Sequence, residues 1–199
     1  MDRNLFQNTR LPDLEWWARL WPTPGETLRQ LDVGAGESFV EVGSGDGYFA
    51  LPAARIVDPA PVYAVDLDER LLADLERWAD EQGIENVVAI HGDARELAAL
   101  VTDPVDVVFI ANTFHGVEAP DTFVEQAYDA LAPGGRFVVV NWHARPREET
   151  TVDGVPRGPP TDLRLAPDVT RSLVTEAAPF CLRRRVDLPP HHYGLVFER

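Results

Sequence analysis

The segment FVEVGSGDGYF at 39–49 runs an apolar stretch into three glycines at alternate positions, Gly43, Gly45 and Gly47. Glycines there let a chain turn sharply and let its backbone approach a ligand closely. A loop built for a dinucleotide prefers G-x-G-x-x-G, with the pyrophosphate on a helix N-terminus. Here the spacing is G-x-G-x-G, and Glu41 and Asp46 add two acids beside the turn. Acids there oppose a diphosphate and suit a cationic ligand. Asp66 closes VYAVD at 62–66, where a carboxylate at a strand's carboxyl end can accept hydrogen bonds from both hydroxyls of a ribose. Asp93 follows the next apolar run, in His91-Gly92-Asp93-Ala94, placed to meet an adenine amino group. The ends of successive strands in an open α/β sheet line one crevice, so these positions converge.

Strands are expected at 38–42, 62–65, 87–90, 105–110 and 136–141, with helices over 47–57, 69–82 and 120–131 among them. That alternation argues for βαβ units and a parallel sheet. Gly83 suits the position just past a helix, and Pro133-Gly134-Gly135 ends the helix before it. Residues 11–31 read as helical, broken at Pro22 and Pro24. Residues 143–168 are rich in Pro, Gly, Arg and Thr and read as an insert, either functional or disordered. A helix over 168–178 and strands over 181–188 and 193–198 follow. Pro189-Pro190-His191-His192 joins those strands, which are expected as an antiparallel hairpin at one end of the sheet. Asp32-Val33-Gly34-Ala35-Gly36 imitates the glycine loop, but no buried strand precedes it. It reads as the turn between the N-terminal helices and the sheet. The organisation is therefore an N-terminal helical lid segment over 1–36 and a ligand-binding domain over 37–199, with the insert at about 143–168.

The ordered set EVGSGDG, VDLD, HGDA and LAPGGRF resembles motif I and the later motifs of class I S-adenosylmethionine-dependent methyltransferases, over roughly residues 37–142. The resemblance implies a doubly wound, Rossmann-like α/β fold. Its seven-stranded sheet would be mostly parallel, with the last strand antiparallel and helices on both faces. The implied cofactor is S-adenosyl-L-methionine, and the implied reaction is methyl transfer to a small-molecule acceptor. By position, Glu41, Gly43, Ser44 and Gly45 would surround the methionine part. Asp66 would hold the ribose with Leu67 beside the adenine, and Asp93 and Ala94 would contact the adenine. Asn112 would line the cofactor and methyl-acceptor side.

In such a topology the loops after the fourth, fifth and sixth strands open beside the cofactor. They hold His115, His143, His191 and His192. A histidine there can deprotonate a hydroxyl or amine near neutral pH, hydrogen-bond the acceptor, or cap a turn. His115 and His143 follow the strands nearest the crevice and are the candidate catalytic residues. No metal is expected, because paired histidines at i, i+4 are missing. Trp16, Trp17 and Trp21 in LEWWARLWP form either an aromatic lid or a packing surface. Arg145, Arg147, Arg157 and Arg164 of the insert either attract an anionic substrate group or pair with Glu148, Glu149, Asp153 and Asp162.

The formal net charge is −15, and all 18 basic residues are arginine. Such a surface repels phosphate backbones and anionic bilayers, so neither nucleic acid nor membrane is expected as a partner. The acids are spread along the chain, which points to a salt-adapted, halophilic protein or to an ordinary acidic one. No apolar run approaches the roughly 20 residues of a membrane span. MDRNLFQNTR has no apolar signal region, so a cytoplasmic address is expected. Cys181, in PFCL, is expected as a small core residue. Rival readings are a nicotinamide oxidoreductase, which G-x-G-x-G opposes, a regulatory protein that binds the cofactor without catalysis, and a protein or nucleic-acid methyltransferase. Monomer and homodimer both suit the sequence.

Overall fold

The computed structural model describes residues 14–199. The expected helix start at 11 and the segment MDRNLFQNTR lie outside the described residues. Helix α1 (Leu14–Leu20) stops before Pro22, and α2 (Pro24–Gln30) begins on Pro24, where a missing N–H costs nothing. The turn at 32–36 leads into β1 (Phe39–Val42), as expected, with Asp32 and Gly36 at positive φ. Next come α3 (Ala50–Val57), β2 (Val62–Asp66), α4 (Glu69–Glu81), β3 (Val87–His91) and α5 (Leu97–Leu100). The chain continues through β4 (Val105–Ala111), α6 (Pro120–Ala130) and β5 (Leu131–Trp142). After the insert come α7 (Pro167–Ala177), β8 (Cys181–Leu188) and β9 (His192–Glu198).

Seven strands form one sheet in the order β3-β2-β1-β4-β5-β9-β8. β1 to β5 pair in parallel, and β9 runs antiparallel to both β5 and β8. The doubly wound seven-stranded fold with an antiparallel last strand is thus present, and the last strand lies one place in from the edge. Chain order reverses between β1 and β4, which opens a crevice at the carboxyl ends of those strands.

Alternation along the strands feeds two cores. Phe39, Val138 and Val140 join one face, with Ala50, Ala53 and Val57 of α3 and with Leu28 and Leu31. Val40, Val139 and Phe137 join the other, with Phe123, Val124 and Ala127 of α6 and with Val174 of α7. Trp17 and Trp21 are buried in the first core, so α1 is anchored to the sheet domain by its own aromatic face.

Three details differ from expectation. α3 begins at Ala50 rather than 47, because Gly47 sits at φ +93° and cannot open a right-handed helix. β5 begins at Leu131, which pairs with Val105 before the ladder shifts and resumes at Arg136 opposite Val107. Cys181 is exposed rather than in the core: β8 is an edge strand, and its neighbour Phe180 takes the buried place. No helix among the described residues is long and apolar enough to cross a membrane.

The insert is folded. A two-stranded ribbon, β6 (Thr151–Val152) and β7 (Val155–Pro156), turns on Asp153 and Gly154, both at positive φ. This is the geometry that Asp-Gly supplies to a two-residue hairpin. Short 3₁₀ turns at Arg147–Glu149 and Thr161–Leu163 flank it.

Candidate active site

A cavity of about 850 Å³ opens at the carboxyl ends of β1, β2, β3 and β4. Its floor is the glycine loop. Gly43 and Ser44 donate their N–H groups to the Val65 carbonyl at 2.8 and 3.2 Å, holding the loop against β2. Gly43 has φ +70°, and a Cβ there would stand 3.1 Å from Thr113 Oγ1, so only glycine leaves that space open. Gly47 likewise has φ +93° and lies against Leu51 and Leu75.

Asp66 reaches over this loop from the end of β2. Its Oδ2 accepts the Gly45 N–H at 2.8 Å, and its Oδ1 accepts the Asp68 N–H at 2.9 Å. Glu41 is buried below, with Oε2 meeting no hydrogen-bond partner among the described residues. Burial, and then the nearby charge of Asp66, pushes its carboxyl well above the ordinary 4.5. Burial also raises Asp46. Ser44 Oγ, Thr113 Oγ1 and both side-chain polar atoms of Asn112 are likewise buried without partners among the described residues. All four of these side chains line the cavity. Buried polar atoms are normally satisfied, so this group marks where a polar ligand completes the structure.

Leu67 and Ala94 also line the cavity, whereas Asp93 does not. The Asp93 carboxylate caps the 3₁₀ turn at Ala94–Glu96 through Arg95 N–H at 2.9 Å. The Arg95 guanidinium grips it with Nη2 at 2.6 Å, and that contact lowers its pKa. His91 stands at the cavity wall instead, its Nε2 3.1 Å from the Leu67 carbonyl and its Nδ1 3.1 Å from Glu69. Sequence reasoning passed over His91. Its register opposite Asp66 on β2 is the signal that could have found it.

His115 and His143 lie outside the cavity lining. His115 sits in the 3₁₀ turn Phe114–Gly116, directly after Asn112 and Thr113. Burial lowers its pKa, and neighbouring Asn141 offsets part of that. His143 places Nε2 2.9 Å from Asp187 and packs its ring on Tyr193, 5.3 Å between centroids. His191 and His192 are buried around Trp142, with His192 4.2 Å from that ring.

The far wall is aromatic. Trp16 and Trp17 of α1, Tyr48 and Trp142 face Arg147, Arg157, Gly158 and Pro159 of the insert. Arg157 lies over the Trp16 ring at 4.9 Å, and Arg19 of α1 pairs with Asp153. Arg164 is buried and bonds to Pro159 O, Arg157 O and Thr150 Oγ1.

The model of a family described as a methyltransferase domain matches residues 40–139. That stretch is half the chain, and the protein belongs to this family, within the class I S-adenosylmethionine-dependent methyltransferases. A protein-L-isoaspartate O-methyltransferase of Methanococcus maripaludis is 33% identical over 115 residues, 56% of this chain and 53% of that one. A probable cobalt-precorrin-6B C(15)-methyltransferase of Methanosarcina acetivorans is 33% identical over 89 residues, 44% of this chain and 48% of that one. The chain spans about half the length of these curated relatives. Among solved structures, a SAM dependent methyltransferase from Aquifex aeolicus superposes with TM-score 0.77 at 21% identity, covering 95% of this chain and 99% of that one. The CcbJ methyltransferase from Streptomyces caelestis gives 0.68 at 20% identity, covering 87% and 93%. At these identities the likeness establishes the fold.

Proposed function

We propose that this protein transfers the methyl group of S-adenosylmethionine to a small-molecule acceptor. The observation that carries the reading is the division of one cavity into two chemically different halves. The floor offers unpartnered Glu41, Ser44 and Asn112 atoms beside the glycine loop and Asp66. The far wall is built from tryptophans and the insert. Ligand pockets typically run about 300–1,000 Å³, so a cavity at the upper end suits a cofactor and a small acceptor together.

The floor residues fit the cofactor. Glu41 and the loop of Gly43, Ser44 and Gly45 would receive the methionine part, Asp66 the ribose, and Leu67, His91 and Ala94 the adenine. When bound, the sulfonium supplies an already activated methyl group, so alignment of the acceptor atom supplies much of the rate. Asn112 and Thr113, just past the end of β4 and lining the same cavity, would orient the acceptor. His115, in the turn that follows Asn112 and Thr113 but outside the cavity lining, is proposed as the base for an acceptor that must lose a proton, a role that needs that turn to bring its ring to the cavity. His143, tied to Asp187, would fasten the end of β5 to the edge strand β8. Asp93 would reach the adenine only by releasing Arg95; otherwise Ala94 carries that contact through its backbone. α1 and the insert would act together as the cover over the acceptor.

Calorimetry with S-adenosylhomocysteine tests the cofactor half, comparing wild type with Asp66→Ala and Gly45→Arg. Micromolar binding lost in both variants is expected. Well-folded wild type that binds nothing would overturn the assignment. Release of S-adenosylhomocysteine across a small-molecule panel tests the other half, and turnover with peptides alone would replace the small acceptor with a protein.

A further inference from the structure

The acceptor half of the cavity has a charge of its own. The acids that line the cavity come from β1, the glycine loop, β2 and the start of α4. The insert contributes two cations, Arg147 and Arg157, and no acid. In a chain of net charge −15, two arginines facing one aromatic cavity are a local reversal of sign.

Those arginines are held in place. Thr150 is fully buried, and its Oγ1 lies 3.0 Å from the carbonyl oxygens of both Arg147 and Arg157. Arg164 donates to Thr150 Oγ1 at 2.9 Å and to Arg157 O at 2.9 Å. Arg157 N–H bonds Thr150 O at 2.8 Å, and Arg147 Nε is spent on the Gly158 carbonyl at 3.1 Å. Gly158 lies flat on Trp142, where a Cβ would stand 2.8 Å from the ring. Arg157 Nε is buried and meets no acceptor among the described residues. A buried guanidinium donor without an acceptor is costly, and an anion is what completes it.

We infer that the acceptor is a small organic acid: its carboxylate seats on Arg157 and Arg147, and its flat apolar body lies against Trp16 and Tyr48, the partly exposed aromatic side chains of the cavity wall. This rests on the small-molecule reading above and adds the class of the molecule. Planar guanidinium groups bind carboxylates with two parallel hydrogen bonds, which favours this head group over a neutral one. The anion would also anchor the acceptor at the end of the cavity away from the acids.

The test uses full-length protein saturated with S-adenosylhomocysteine. Benzoate, phenylacetate, 3-phenylpropionate and indole-3-acetate are titrated against their carboxamides, read by tryptophan fluorescence. At least one acid is expected to bind tenfold or more tighter than its amide. Arg157→Gln with Arg147→Gln should reduce that preference to within twofold, while Arg145→Gln with Arg171→Gln, equal in charge change and away from the cavity lining, should leave it intact. Circular dichroism and melting check that each variant is folded. Equal binding of acids and amides, or a preference that survives the double substitution, would overturn the inference. So would a matching loss of S-adenosylhomocysteine affinity in the double variant, which would assign the arginines to the methionine carboxylate. Wild-type affinity for S-adenosylhomocysteine is measured separately, so failure of the cofactor reading shows on its own.

Discussion

Asp66 Oδ2 accepts the backbone N–H of Gly45 at 2.8 Å, so the carboxylate assigned to the ribose also fastens the glycine loop. The two duties make Asp66 more than a binding group. Hydrogen bonds to a charged group are worth about 1.5–3 kcal/mol each. Asp66→Ala should therefore weaken S-adenosylhomocysteine binding roughly 10- to 100-fold. It should also lower the melting temperature of the ligand-free protein, because the loop loses its tie. Asp66→Asn, which can still accept the Gly45 N–H, should recover the melting temperature better than the affinity. Calorimetry and thermal melts on the three proteins separate the effects; equal affinity in all three would remove the ribose role.

Glu41 should show opposite signs for stability and binding. Its folded pKa lies well above the ordinary 4.5, with burial the main cause. Between the two values the folded chain holds a proton that the unfolded chain has lost. The folded state then binds more protons, so stability falls as pH rises through that window. Glu41→Gln stays neutral and should raise the melting temperature of the ligand-free protein at pH 7–8. A bound ammonium restores the value of the charge, so the same variant should bind S-adenosylhomocysteine at least tenfold more weakly, about 1.4 kcal/mol. Undiminished affinity would place the ammonium against another group.

Much of this site was legible because its signals are local. Gly43 and Gly47 adopt backbone angles that their type permits, and Asp66 falls at a strand end that apolar periodicity locates. Asp93 was legible as a position but not as a partner, since the guanidinium that occupies it comes from a side-chain rotamer of Arg95. The order of the insert turned on tertiary contacts of buried Arg164 and Thr150, which no pattern of hydrophobicity announces. Its hairpin did carry a local sign, Asp153-Gly154, hidden within a stretch read for its overall composition and its charged residues. Cys181 was misplaced because PFCL looks apolar throughout, while Phe180 is buried just before the edge strand and both Cys181 and Leu182 stand exposed on it.

His192 should make the protein acid-sensitive below pH 6.5. Burial holds its pKa well below that ordinary value, and His191, His143 and Arg164 add to the effect. Its Nε2 is buried with no partner among the described residues. As pH falls below 6.5 the unfolded chain takes up a proton that the folded chain refuses, and stability is lost. One proton sets a slope of at most about 1.4 kcal/mol per pH unit. Denaturant unfolding between pH 7 and 5 should show a shallower loss in His192→Gln than in wild type, whatever the offset in absolute stability. Identical slopes would move the titration to another group, and His115, lowered in the same direction, is the next to substitute.

Salt should stabilise the protein even though it weakens the visible ion pairs. Arg183–Glu198 and Arg184–Asp32, each at 2.6 Å, and Arg77–Asp74 at 2.8 Å all lie at the surface. Exposed pairs of this kind contribute about 0–1 kcal/mol each, and screening removes it. Against them stands an excess of 15 negative charges whose mutual repulsion is screened by the same ions. The screening length falls from about 10 Å at 0.1 M to about 3 Å at 1 M, so the net excess of acids gains more than these exposed pairs lose. The melting temperature should climb as KCl is raised from low concentration to molar. A flat or falling curve would show that the pairs outweigh the repulsion, and the acidic surface would then lose its reading as an adaptation to salt.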